Sequence, residues 1–452
     1  MPNTLLQKTS RPVLPAYQGL KWLQGELPRE IEPWPKFASR RTAEAAGDRY
    51  DASWEEVRRS AAGKPWVWPK RRVHFLCDLH ADTEAFHRSL IATGGVVKTG
   101  PGDGDLELTP AGTQALFIFG GDLFDKGPAT LRLLNTLQSF LRTGARVLIL
   151  AGNHDLRAIV GLRYAGHKET HLAHLFIRMG KKSIPLFREI YDRYLAAGSM
   201  PRRHPSDDEV SRLLFPDAGW FERFPREAAG LIPEIKIAAE VVRIQEKLVE
   251  FMEGAEEHRM TLGMIHAAYL KARELFLEPG GGYRWLFERM TLAFRAGSFL
   301  FIHAGLDDDA AALLRREGVA GLNRRFRSLF RDNLFELYHG YIGNMFRTKY
   351  RPKDLPLTWR GLRDTRRAGI YAIVHGHRIA KQGHRLALRN GLLNFECDTA
   401  VDRHTRRQLG LEGPGASALV LQPSGVMLGI SSDYPYAKIL NAADVFDFTA
   451  IA

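Results

Sequence analysis

Carboxylates, an amide and imidazoles recur at the carboxyl ends of apolar runs in this chain. Val73 to Cys77 leads into Asp78-Leu79-His80, and Ala115 to Phe119, through Gly120-Gly121, into Asp122-Leu123-Phe124-Asp125-Lys126-Gly127. Val147 to Leu150 leads into Gly152-Asn153-His154-Asp155, Ser298 to Ile302 into His303-Ala304-Gly305, and Tyr371 to Val374 into His375-Gly376-His377. Short apolar runs closed by glycine and polar residues read as buried strands. A loop at a strand's carboxyl end is where an α/β sheet places its chemistry. Hard oxygen donors mixed with imidazole nitrogen suit divalent manganese, iron or zinc.

A two-metal centre needs a carboxylate able to bridge cations about 4 Å apart, with terminal ligands on each. Asp122, first after the glycine pair, is the natural bridge. Asp78 and His80, at i and i+2, complete one metal; Asn153, His303 and His377 complete the other. Water held between two cations ionises near neutral pH and attacks phosphorus in line. The leaving alkoxide then needs a proton, which His154 can give if Asp125 holds its ring. Singly these signals are weak. Asp-x-His recurs by chance, Gly-Asn-His-Asp could be a capped turn, and His74 or His375 reads as a structural hydrogen-bonder before a ligand.

Taken together, D-x-H, G-D-x-x-D-x-G, G-N-H-D, H-A-G and G-H resemble the calcineurin-like metallophosphoesterases. Within them the set looks most like the phosphoprotein phosphatase branch and its bacterial relatives, including symmetrical diadenosine tetraphosphatases. The resemblance spans Arg71 to Asp155 and Ser298 to Ile430. It implies a four-layer αββα sandwich with a large helical insertion. It also implies two divalent metal ions, manganese first, with iron, zinc, nickel or magnesium as alternatives. Asp78, His80 and Asp122 then match the first-metal ligands, Asn153, His303 and His377 the second, and His154 with Asp125 the acid dyad. Two positions depart from the pattern. Lys126 stands where relatives carry arginine and offers charge without a bidentate fork. Ile379 stands where many cousins carry a further histidine, which favours the protein-phosphatase-like branch. Leu357-Thr358-Trp359-Arg360-Gly361 resembles a stretch whose arginine holds the substrate phosphate. That makes Arg360 the expected clamp, with Lys126 and Asn153 beside it.

The positioning elements follow from periodicity. Ala129 to Arg142 reads as the helix between the second and third strands, with Leu131, Leu133, Leu134, Leu137 and Leu141 apolar. From Leu156 to Arg295 the pattern turns helical, with turns at Ser199-Met200-Pro201 and Gly280-Gly281-Gly282. Ile237, Val241, Ile244, Leu248 and Phe251 share one face, read as core packing before a membrane or partner helix. The expected organisation is an extension over 1–70, a first core part over 71–155, a helical insertion and possible lid over 156–295, and a second core part over 296–452.

At 452 residues with a net charge of +13, the chain can bury a large core and suits anionic substrates. Residues 324–367 alone carry ten arginines and two lysines against four acids, either a solvated face or a border of the substrate site. The two cysteines, Cys77 and Cys397, sit in apolar runs and read as core thiols in a reducing compartment. No apolar run reaches membrane-spanning length, so the expected location is cytoplasmic with no membrane partner. The leading expectation is a phosphomonoesterase acting on a phosphoprotein or a small phosphate ester. Dinucleoside polyphosphate or nucleotide hydrolysis is the alternative, then nucleic-acid phosphodiester cleavage, for which charge is the only support. A non-catalytic binding protein on the same scaffold would need degenerate ligands, and these are intact.

Overall fold

Alternation along the strands decides how the layers stack. The structure is a computed structural model describing residues 14–35, 51–196, 205–231 and 234–446. The strands, numbered along the chain, begin with β1 (Glu30–Pro33), β2 (Val73–Leu76) and a hairpin of β3 (Val96–Lys98) and β4 (Leu106–Leu108). Then come β5 (Leu116–Phe119), β6 (Arg146–Leu150), β7 (Met290–Thr291), β8 (Phe294–Ala296) and β9 (Phe299–Phe301). The last are β10 (Ala372–His375), β11 (Arg385–Arg389), β12 (Leu392–Glu396), β13 (Ser417–Leu421), β14 (Val426–Ser431) and β15 (Tyr436–Asn441).

One sheet has the order β1-β15-β14-β13-β2-β5-β6-β7 and the other β11-β12-β10-β9-β8. Strands β2, β5, β6 and β7 run parallel, as do β9, β10 and β12. Both parallel sets therefore deliver their carboxyl ends to one edge of the molecule. Between the sheets lie Val73, Phe75, Leu419 and Leu421 of the first and Phe299, Phe301, Val374 and Phe395 of the second, all buried. Their alternate neighbours, Leu76, Phe117, Phe119, Leu300 and Ile373, pack outward against helices instead. Two sheets face to face with helices outside make the α/β sandwich that the motifs imply.

The helices begin where capping chemistry allows. Thr83–Ala92 starts after Asp82, whose Oδ1 accepts from the amides of Glu84 and Ala85 at 3.2 Å. Thr130–Arg142 buries Leu131, Leu133, Leu134, Leu137 and Phe140. Helices then run from Asn153–Tyr164 to Arg284–Arg289, and within Glu234–Glu257 the expected stripe is inward: Ile237, Ile244 and Phe251 are buried. The helical run stops at Arg289 rather than Arg295, because Met290–Thr291 pairs with β6 and Phe294–Ala296 with β9. Strands of two or three residues leave no period to read. The turn at Ser199-Met200-Pro201 lies outside the described residues.

The N-terminal segment is built into the sandwich: β1 pairs in parallel with β15, and Trp66 and Trp68 are buried against Phe299. Among the described residues no helix is long and apolar enough to cross a membrane.

Phe301 is fully buried between the sheets, its ring 5.9 Å from that of Phe75. Phe301→Ala should lower unfolding stability by about 3 to 5 kcal/mol in urea titration. A loss below about 1 kcal/mol would mean the sheets do not depend on this packing.

Candidate metal centre

Each motif sits just past a strand end, and three of the five place side chains in backbone that they rarely adopt. Asp78, His80, Asp122 and His377 have φ of 54°, 42°, 57° and 63°. Such strain persists only where surrounding contacts over-determine it, and it gathers at functional sites. The close approach leaves no room for side chains between the loops. A Cβ on Gly376 would overlap Asp78 Oδ2, and one on Gly121 would sit 2.6 Å from the Gly152 amide nitrogen.

The imidazoles are aimed by backbone carbonyls. His80 Nδ1 donates to Phe124 O at 3.0 Å, and His303 Nδ1 to Gly120 O at 2.7 Å. His377 uses the other nitrogen: Nε2 donates to Arg347 O at 3.1 Å. The lone pairs of His80 Nε2, His303 Nε2 and His377 Nδ1 are thereby turned inward, the device by which proteins fix the tautomer of a metal-binding histidine. Asp122 lies between them, with Oδ1 3.4 Å from His303 Nε2 and Oδ2 3.7 Å from His80 Nε2. Asp78 Oδ1 is 4.0 Å from His80 Nε2, and its Oδ2 accepts from the His377 amide at 3.0 Å. All six expected ligands converge. Two triplets, His80 with Asp122 and His154, and Asp122 with His303 and His377, hold ligand atoms within 4.8 Å of one another.

The donor set fits divalent cations on evidence internal to the site. Asn153 Oδ1 faces His303 Nε2 at 3.2 Å, and also faces His377 Nδ1 at 2.8 Å and Phe346 O at 3.3 Å. The amide shows its oxygen to acceptors. A cation among these atoms turns that repulsion into coordination; without one, the amide would gain by rotating its nitrogen inward. Lys126 Nζ already lies 2.6 Å from His80 Nε2, a positive charge on the lone pair offered to a metal. Burial would raise the Asp122 carboxyl, but the His303 and His154 rings overcome it and hold the group well below the usual carboxylate range. Asp78 goes the other way, pushed up by burial and by the Asp398 and Asp122 charges. A cation between these carboxylates removes that repulsion.

Beside this set, His154 Nδ1 is 2.7 Å from Asp125 Oδ2, and Nε2 is 4.0 Å from Asp122 Oδ2. Both are buried. Burial pushes the Asp125 carboxyl up to about 6, while burial and then the Arg157 charge push the His154 ring well below its ordinary range.

Other sequence expectations land elsewhere. Arg360 sits at the surface, its guanidinium 3.5 Å from Asp309 and 3.8 Å from Asp308, so its partners are carboxylates rather than the cluster. Much of the basic run is paired in the same way: Arg325 with Glu336, Arg331 with Asp332, Arg351 with Asp354. From that run Arg347 reaches the site through its carbonyl, and Lys349 lies among Asp398, Lys126 and Asp78. His375 is buried with Nδ1 on Gly376 O at 2.8 Å, and His74 stacks edge-on to Phe117; neither joins the cluster. Cys77 and Cys397 are free, buried thiols whose pKa burial raises.

The residue with the largest unforeseen part is Asp155. Its Oδ2 accepts from the amides of Asp122 and Gly152 at 2.9 and 2.8 Å, and its Oδ1 from Leu123 and Phe124 at 2.8 and 3.2 Å. One carboxylate thus fixes the β5 loop to the β6 loop. Its place in Gly-Asn-His-Asp marked it, but only the fold shows which amides it meets. Asp398, past the end of β12, is a second unforeseen acid, and the strand-end rule that found the others would have found it.

Asp155→Asn keeps the size and replaces half of the acceptors with a donor facing N–H groups. Each buried amide left unpaired costs about 1 to 3 kcal/mol. The variant should melt several degrees lower and bind manganese about 10- to 100-fold more weakly by calorimetry. Unchanged metal affinity would show that the loops hold their geometry without this carboxylate.

Residues 72–233 match the family described as calcineurin-like phosphoesterase. The matched stretch contains Asp78, His80, Asp122, Asp125, Asn153 and His154, and stops before His303 and His377, which the second sheet supplies. No curated protein matches the chain. Among solved structures, a cold-active protein-tyrosine phosphatase from a psychrophilic Shewanella is 13% identical, covering 83% of each chain with a TM-score of 0.40. A protein serine/threonine phosphatase from Saccharomyces cerevisiae is 12% identical, covering 86% of this chain and 85% of its own, with a TM-score of 0.31. The chain carries a calcineurin-like phosphoesterase domain and is a phosphoester hydrolase.

Proposed function

We propose that the chain is a phosphomonoesterase working at two divalent cations, manganese first. Asp78, His80 and Asp122 would hold one, Asn153, His303 and His377 the other, with Asp122 placed to serve both. The observation that carries this reading is Asp122 itself, whose two oxygens face two different inward-turned imidazoles. Cations bound there supply Lewis-acid activation of water and of the phosphoryl oxygens.

The remaining work falls to the chain. Water gives up a proton to solvent and its oxygen bonds to phosphorus as the ester P–O bond breaks; His154 gives the proton on Nε2 to the leaving oxygen and regains one from solvent. Asp125 orients that ring through Nδ1. Since burial and Arg157 disfavour a charged His154, its proton is best held with an anionic phosphate close by. Lys126 and Arg157 place positive charge beside the dyad and attract that phosphate. Lysine contributes there as a point charge rather than a fork. Arg360 would have to leave Asp308 and Asp309 before it could clamp substrate. For the substrate, a phosphoprotein or a small phosphate ester fits a monoesterase site, and the motif set of the protein-phosphatase-like branch supports it.

With manganese added, the chain should hydrolyse p-nitrophenyl phosphate much faster than its bis-ester. The reverse preference would replace this reading with a phosphodiesterase. Asp122→Asn should lose bound metal and activity together, whereas full activity in that variant would end the shared-carboxylate reading. His154→Asn should keep its metal while turnover of phosphoserine falls by about 10² to 10⁴. The fall should be smaller for p-nitrophenyl phosphate, whose leaving group needs little protonation. Equal falls on both substrates would remove His154 from the proton-donor role.

A further inference from the structure

Next to the dyad the protein opens a cleft of 960 Å³. One wall is the loop Lys126-Gly127-Pro128, another comes from the helical insertion through Lys181, Lys182 and Arg193, and a third from the helix Arg403–Gln408. Seven basic side chains line it against three acids. Two of those acids are already engaged: Glu189 accepts from the amides of Leu131 and Arg132, and Asp192 pairs with Arg188 at 2.8 Å. Arg403 pairs with Asp82 and Glu84. Among the described residues Lys181, Lys182, Arg407 and Lys126 have no ion-pair partner within 4.0 Å, and Lys126 Nζ lies 2.6 Å from His80 Nε2.

These charges repel one another. The Lys182 ammonium is pushed down to about 8 by burial and then by the charges of Lys126 and Arg157, which outweigh the opposing charge of Asp125. A cation cluster of this kind is relieved by an anion, and the cleft is far larger than one phosphoryl group fills. Its volume lies within the roughly 300 to 1,000 Å³ of small-molecule sites. No phenylalanine, tyrosine or tryptophan lines it; the rings that do are the imidazoles of His258 and His404, so the large indole, phenol or phenyl faces on which a base stacks best are missing from its walls. Lys126 belongs both to the cleft wall and to the metal cluster, which makes the two continuous.

We propose that this cleft holds the non-scissile phosphates of a compact polyphosphorylated substrate, recognised by charge and not by a base. The inference rests on the phosphoester-hydrolase reading of the adjoining metal centre. Closely spaced phosphates could come from an inorganic anhydride chain or from a phosphorylated sugar, and the two sources share this chemistry. The insertion takes part by supplying Lys181, Lys182 and Arg193 rather than by shutting the site.

The test uses the full chain. First, binding is measured by calorimetry in EDTA at low salt, with tripolyphosphate, fructose 1,6-bisphosphate and orthophosphate as probes. At least one polyphosphorylated probe should bind tenfold tighter than orthophosphate, and Lys182→Ala and Arg407→Ala should each weaken it about 3- to 10-fold. Arg331→Ala, remote and paired with Asp332, serves as the charge control and should have no such effect. Second, with manganese, the ratio of kcat/KM for that probe to kcat/KM for p-nitrophenyl phosphate should fall about tenfold in the two cleft variants. The probe with the larger fall identifies the source. Tight binding lost in the variants, without any turnover of p-nitrophenyl phosphate, would support the cleft and end the hydrolase reading. Turnover of p-nitrophenyl phosphate with unchanged ratios and no preference over orthophosphate would leave the hydrolase and overturn the cleft. A loss confined to acidic phosphopeptides would make it a peptide groove and also overturn the proposal.

Discussion

Backbone amides that point into a buried space must find acceptors, and here one carboxylate takes four of them. Asp155, on the first turn of the helix Asn153–Tyr164, accepts from Gly152 on its own loop and from Asp122, Leu123 and Phe124 on the next. Because the loops are fixed to each other, Asp122 stays between His80 and His303, and Phe124 O stays where His80 Nδ1 can donate to it. The strained φ values of Asp122, Asp125 and Lys126 lie in the loop that this carboxylate gathers. Neighbouring strands bring the groups near; the amide-to-carboxylate set decides their orientation.

Much of this was legible before any coordinates. The rule that chemistry sits at the carboxyl ends of parallel strands located Asp78, His80, Asp122, Asn153, His303 and His377, because each follows a run too apolar to be anything but buried strand. The dyad was legible for a similar reason, since Asp125 lies one turn of loop beyond Asp122 and His154 adjoins Asn153. What the sequence could not show are the contacts between segments far apart in it. Arg360 was placed by motif alone, and the acids that hold it, Asp308 and Asp309, lie 52 and 51 residues earlier in the chain. The short strands β7, β8 and β11 escaped because two to five residues paired at an edge carry little periodicity, and β1 because its partner is β15. The helical insertion was legible as helix, but not the placement of its lysines, because polar faces show no period that says what they overlook.

The six proposed metal ligands divide between two sheets. β2, β5 and β6 supply four from one side, and β9 and β10 supply His303 and His377 from the other. The aromatic packing between the sheets, with Phe75, Phe299, Phe301 and Phe395 in one buried cluster, therefore sets the distance across the centre as well as the stability of the fold. The family match, which ends at residue 233, covers only the first side. The matched stretch carries four of the six proposed ligands. His303 and His377 were found by the strand-end rule, but that they lie opposite the other four is a consequence of sheet stacking.

The pairing of β1 with β15 bears on how the protein can be made. Glu30–Pro33 is paired in register with Tyr436–Ile439, more than four hundred positions later. During synthesis the early segment emerges with its strand edge open and waits until β15 has left the ribosome. Trp66 and Trp68 wait with it, since Phe299 and Phe446, which cover Trp66, come late as well. Contacts of such long range are closed last and slowly, after local helices have formed. The nascent protein therefore passes through a long interval in which an unpaired strand and two large indole rings are exposed, the surface that holding chaperones bind.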